Sequence, residues 1–152
     1  MDKNHVLAAL RIYLGAIFAL AVYPKLVAGP AFTHMLTGFV TQVGLQNAHP
    51  FYQRFLAAVV LPHVTIFAPL VVIAETLVAL ALITGTATRA AGILAMLLLA
   101  NYMLSKGLWW WNPSSNDGAF LAIALVLVLT AAGRTLGVDA YLVKRWPNLI
   151  VS

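Results

Sequence analysis

The chain has no cysteine, which excludes disulfides, thiolate metal sites and iron–sulfur clusters built from this polypeptide. Charge is scarce as well. Only 9% of the 152 residues are charged, 4 of them acidic, whereas a soluble domain carries roughly 25%. So little charge cannot clothe a water-exposed globule, and the mean hydropathy of +0.94 puts the chain in the membrane class. Paired histidines in apolar runs are also missing. Of His5, His34, His49 and His63 only His63 borders one, so no haem is expected within the chain, and histidines spaced this widely predict no metal site. There is no glycine-rich phosphate loop and no usable Ser/His/Asp arrangement. The net charge of +5 is spread out, without the basic cluster of a nucleic-acid footprint.

What is present is a series of apolar runs. They predict a single all-α domain over residues 1–152, an integral membrane four-helix bundle with spans at about 6–23, 63–84, 90–105 and 117–133. Val6–Tyr23 has spanning length and no small-residue cleavage site before Pro24, so it reads as a span and not as a cleaved signal. Pro24 and Gly29-Pro30 are expected to break it. Between them and the second span, Phe32, Leu36, Phe39, Val40 and Val43 recur at helical steps. That pattern suits a short interfacial helix in the first outer loop. Phe51–Leu61, too short to cross, reads as a second surface or re-entrant piece. Pro69 is expected to kink or break the second span, Gly85 with Thr88-Arg89 to form a tight turn, and Leu136–Ser152 to lie at the interface. The last two spans are short for a bilayer, so local thinning or helical extension into the loops is expected.

Lys3, Arg89, Arg134, Lys144 and Arg145 fall on one side of these spans, against Lys25, Arg54 and Lys106 on the other. The bias puts both termini in the cytoplasm. The first loop and the run Trp109-Trp110-Trp111-Asn112-Pro113-Ser114-Ser115-Asn116-Asp117 then share the outer face. This hairpin is either an aromatic anchor at the headgroup layer or a polar rim over a ligand crevice.

Glu75 is the strongest chemical signal. It lies mid-span among Val71, Val72, Ile73 and Leu77, where an ionised carboxylate costs several kcal/mol unless it is paired or hydrated. Arg11, two turns into the first span, is the expected partner; the pair either fixes helix register or serves a proton or ligand role. Lys25, Asn101, Tyr102, Asn112, Asn116 and Asp117 map to the outer ends of spans, with Arg54 and His63 nearby. They offer donors for two carbonyl groups, an aromatic face and a carboxyl group, as a quinone headgroup requires. Separate interfacial anchoring explains them equally well.

The chain resembles the DoxX/DoxD family of small four-span membrane proteins over nearly its whole length. The resemblance is carried by Arg11-Ile12-Tyr13-Leu14-Gly15, Lys25-Leu26, Pro50-Phe51-Tyr52, Val60-Leu61-Pro62, Glu75 and Asn101-Tyr102, and most specifically by Asn112–Asp117 and Ala132-Gly133-Arg134. The sequence departs at Ala74, where relatives commonly place glycine, and at His63, where asparagine is usual. The resemblance implies a membrane subunit of a quinone-linked redox complex, similar to thiosulfate:quinone oxidoreductase, in a bacterial or archaeal cytoplasmic membrane. Electrons would come from a partner subunit. The competing expectation is a non-catalytic anchor subunit whose polar groups only hold helices together. A transporter is a weaker fit, because no internal repeat is visible.

Overall fold

The structure is a computed structural model that describes residues 3–130, 132 and 137–145, with side chains through residue 141. The expected end of the fourth span at Gly133-Arg134 and the tail beyond Arg145 lie outside the described residues. Among the described residues the chain is helical and has no strand. Four long helices, α1 (Lys3–Ala28), α5 (Val64–Thr84), α6 (Thr88–Lys106) and α7 (Asp117–Thr130), form the bundle. Helix α1 packs on α5, α5 on α6, α6 on α7, and α7 closes the ring against α1.

Three helical stretches are long and apolar enough to cross a membrane; α7 is a shorter apolar helix. Leu20, Ile66, Ile73, Leu77, Leu80, Leu97 and Leu129 are each more than half exposed. Such a surface is unfavourable in water and natural in lipid. Lipid supplies no hydrophobic drive between helices, so close packing must hold them together. Leu14, Phe18, Val78, Leu82, Leu98 and Leu127 fill the centre. Small residues let the backbones approach. A Cβ on Gly15 would lie 2.9 Å from Ile83 Cγ1, and one on Gly92 would lie 2.6 Å from Val128 Cγ2.

The connection between α1 and α5 is almost wholly helical. Gly29 takes φ +52° and turns the chain out of α1. The cap that follows comprises α2 (Phe32–Phe39), a π-turn over Val40–Gly44, α3 (Leu45–Asn47), α4 (Pro50–Phe55) and a second π-turn over Leu56–Val60. Val40, Tyr52, Leu56 and Val60 give it a small core of its own, closed by Phe67 of α5 and Leu104 of α6. Pro50 occupies the first turn of α4, where its missing N–H costs nothing. The expected break at Pro24 does not occur, and Pro69, expected to kink or break the second span, does not interrupt it: both prolines lie inside continuous helices. Membrane helices accommodate such prolines when neighbouring groups satisfy the freed carbonyl.

The opposite end is pinned by α8 (Val138–Arg145). Gly85 at φ +72° and Ala87 at φ +47° bring α6 sharply back on α5. The Asp139 carboxylate accepts from Ala87 N–H (2.7 Å) and Thr88 N–H (2.9 Å), capping α6 from a distant part of the chain.

Two predictions follow from the packing. Gly92→Ala should lower the unfolding midpoint in mild detergent, because β-branched Val128 cannot yield easily. Gly38→Ala, with nothing within 4 Å of the new Cβ, should leave the midpoint unchanged or raise it slightly; the reverse order would contradict this packing. Cysteines placed at Lys3 and at Ser115 should label from opposite faces of the membrane, since these positions lie at opposite ends of the bundle; same-side labelling would refute the topology.

Candidate functional site

The antiparallel register of α1 and α5 decides which charges meet. Gly15 lies against Leu82 and Ile83. Two turns on along α1 comes Val22, and two turns back along α5 comes Glu75, so the two share a level. Lys25 is one turn farther along α1. Helical side chains lean toward the N-terminus of their own helix, so Lys25 leans back along α1 toward Val22, and Glu75 leans back along the antiparallel α5 to meet it. Lys25 Nζ donates to Glu75 Oε1, and the hydroxyl of Tyr102 on α6 donates to the same oxygen. Glu75 is completely buried, whereas the Lys25 side chain keeps 21% of its surface exposed.

Three helices thus contribute to one carboxylate oxygen. The other, Oε2, is buried without a hydrogen-bond partner. The ammonium of Lys25 also lies 5.7 Å from the centre of the Phe32 ring and 5.6 Å from that of Tyr102, within the range of cation–π attraction.

Beside Lys25 opens a cavity of about 360 Å³, within the range of small-molecule sites. Its walls are Leu26, Gly29 and Pro30 at the end of α1, Phe32 and Thr33 of α2, and Thr65, Ala68, Pro69, Val72 and Ile73 of α5. Among the described residues, Lys25 is the only charged group on its wall. Leu26 and Ile73 are more than half exposed, so the cavity faces the lipid side of the bundle.

The expected pair of Arg11 with Glu75 does not form. Arg11 is ~21 Å of helix from Lys25 at 1.5 Å per residue. It is buried at the far end, where it donates to the Ala132 carbonyl (3.4 Å), packs over Gly85 and feels the charge of Asp139. Counting turns along the spans brought Arg11 too close to Glu75, because α5 runs antiparallel and puts Glu75 near the C-terminal end of α1, at Lys25.

The remaining candidates separate into two further groups. Asn101 points from α6 toward the cap, where its Oδ1 accepts from the hydroxyl of Tyr52 and, at 3.3 Å, from that of Ser105. Lys106 donates to Asp117 Oδ2 (2.8 Å), which also accepts from Ser115 Oγ (2.7 Å). Asn112 Oδ1 accepts from Ser114 N–H (2.9 Å). The polar groups of the hairpin therefore largely build the hairpin itself. Asn116 is exposed and accepts Phe120 N–H through its backbone carbonyl (3.0 Å). Asn101, Asn112, Asn116 and Asp117 do not line the cavity at Lys25. Trp109 stacks on Trp111 and tilts against His49 at 4.8 Å, and all three tryptophans stay exposed, as an aromatic anchor requires.

Sequence reasoning gave Phe32, Thr33, Tyr52 and Asp139 no role at the site. Phe32 carried only the periodic signal of an amphipathic helix, and Tyr52 only its place in the family resemblance. Asp139, an acidic residue in an otherwise basic tail, was the more readable clue.

A helix bundle with exposed apolar flanks and an ionisable cluster shared by three helices defines a polytopic membrane protein with a buried polar site. The chain belongs to the DoxD family: the family model described as TQO small subunit DoxD matches residues 6–151. No curated protein and no solved structure matches the chain. The family resemblance carried by the Asn112–Asp117 run and by Glu75 is borne out.

Lys25→Met would leave a buried carboxylate with one donor, so it should cost about 3–5 kcal/mol. Tyr102→Phe removes only a neutral donor and should cost about 1 kcal/mol. Denaturation in mild detergent compares the two. Equal losses would mean that the carboxyl is held as a neutral group.

Proposed function

We propose that this chain is the membrane subunit of a quinone-linked oxidoreductase complex. Its cavity between α1, α2 and α5 binds the quinone ring, and a partner subunit supplies the electrons. The observation that carries this reading is the cavity itself: a charged donor, Lys25, stands at an otherwise apolar, lipid-facing recess with an aromatic face beside it. A quinone is lipid-soluble, flat and bears carbonyl acceptors, and it takes up two electrons and two protons on reduction. Lys25 donates to a carbonyl oxygen, Phe32 offers a ring face, and Thr33 and Thr65 are among the lining residues. Glu75 holds the ammonium in place through Oε1 and keeps a second oxygen for a proton.

The family description names a small subunit of TQO, thiosulfate:quinone oxidoreductase. This supports assembly with partner subunits, and any cysteine-held redox centre would have to lie in one of them, because the chain has no cysteine. The lysine and arginine bias supports both termini in the cytoplasm, and the family resemblance supports a bacterial or archaeal cytoplasmic membrane. An anchor subunit without catalytic duty is the second reading. It is favoured by the way Asn101, Lys106 and Asp117 each tie two elements together.

Ile73→Trp separates the readings. Ile73 is 56% exposed and lines the cavity, so a bulkier ring fills the recess without disturbing the core. Binding of a short-chain quinone analogue to the purified protein should weaken at least tenfold, with the unfolding midpoint unchanged. Unchanged affinity would favour the anchor subunit.

A further inference from the structure

The surroundings of Glu75 are unlike in its two directions. Toward the Arg11 end, Leu14, Phe18, Val78, Ala79, Leu82 and Leu98 pack at or near zero exposure. About 15 Å of α5 separates Glu75 from the turn at Gly85, at 1.5 Å per residue. The side chains of that layer are apolar, and the buried polar groups on that side among the described residues, Arg11, Thr88 and Asp139, gather at the Gly85 end. Toward the Trp hairpin the polar groups follow one another along α6. Tyr102 donates to Glu75, Lys106 stands one turn beyond it, and Lys106 is bonded to Asp117 at the mouth of α7. The Lys106 side chain is 37% exposed and that of Asp117 is 14% exposed. Tyr102 also lies within electrostatic reach of Asp117.

We propose that Glu75 exchanges its proton only with the aqueous phase on the hairpin side, through Tyr102 and the Lys106–Asp117 pair, and is sealed from the opposite side by the apolar layer. The step balances without a redox partner. The Tyr102 hydroxyl passes its proton to Oε1 of the carboxylate and accepts another from water near Asp117. Tyrosine starts and ends neutral, and the carboxylate becomes a carboxylic acid. The groups facing Glu75 are Lys25 from α1 and Tyr102 from α6, with Asp117 and Lys106 beyond. Rotation of the carboxyl group then exchanges its two oxygens, so that the unpartnered one carries the proton and the other keeps both donors. This deepens the quinone reading, since protons for a reaction in the cavity would then come from the hairpin side. The exchange itself is testable without a quinone.

The intact protein is reconstituted in vesicles with a single orientation, and the pH is stepped on one side at a time. Infrared difference spectra follow the carboxyl band that Glu75→Gln removes. The expected result is a band that follows the hairpin-side pH alone, with its response slowed at least tenfold in Tyr102→Phe and in Asp117→Asn. A band that follows the Arg11-side pH, or responds to neither side, overturns the proposal. Equal rates in both variants and the native protein overturn the route through α6. None of these outcomes depends on whether Ile73→Trp alters quinone binding.

Discussion

The structure depends on one carboxylate oxygen shared by two donors in a place where water is scarce. An ionised group inside an apolar bundle is tolerable only if its charge is met nearby. Glu75 Oε1 is met by Lys25 from α1 and by Tyr102 from α6, so the neutralising contacts also tie three helices together. The ordinary hydrophobic drive is weak between helices surrounded by lipid. A buried ionic contact of this kind therefore sets the register of α1 against α5 more sharply than apolar packing alone. The same contact holds the ammonium of Lys25 at the wall of a lipid-facing cavity. Stability and chemistry draw on one set of atoms.

The opposite end is organised by different means. There Asp139 caps the start of α6 through two backbone N–H groups, and Arg11 lies against Gly85. Gly85 is required twice over. Its φ of +72° disfavours a side chain, and a Cβ there would lie 2.2 Å from an Arg11 nitrogen. Between the two polar ends sits the dry layer around Leu14, Val78 and Leu82. The bundle thus has a structural end and a chemically equipped end, and the asymmetry follows from where each charge found its partner.

Much of the architecture was legible in the sequence. Apolar runs separated by Gly85 and by the Asn112–Asp117 hairpin gave the helices and their order, because lipid imposes helical spans on such runs. Glu75 stood out for the same reason. The sequence could not show which cation would reach it. Arg11 and Lys25 both lie on α1, and the choice turns on helix register and on side-chain lean, which are tertiary properties. The proposed crevice of outer residues also resolved differently. Lys25 and Tyr102 converge on Glu75, whereas Asn101 turns to Tyr52 and Asp117 to Lys106. Composition revealed these residues as polar, and only the packing of the cap at 29–61 determined which surfaces they share. Pro24 misled because a break read from local chemistry did not interrupt the helix, which runs on to Ala28.

The central claim is that Lys25 and Glu75 form an ion pair whose members are costly to bury singly. A double-variant cycle with Lys25→Met and Glu75→Gln, measured by denaturation in mild detergent, tests it most directly. The account predicts that the double variant is more stable than either single one, because removing both charges leaves nothing stranded. Losses that simply add, within about 0.5 kcal/mol, would show that the two groups act independently and would contradict the account.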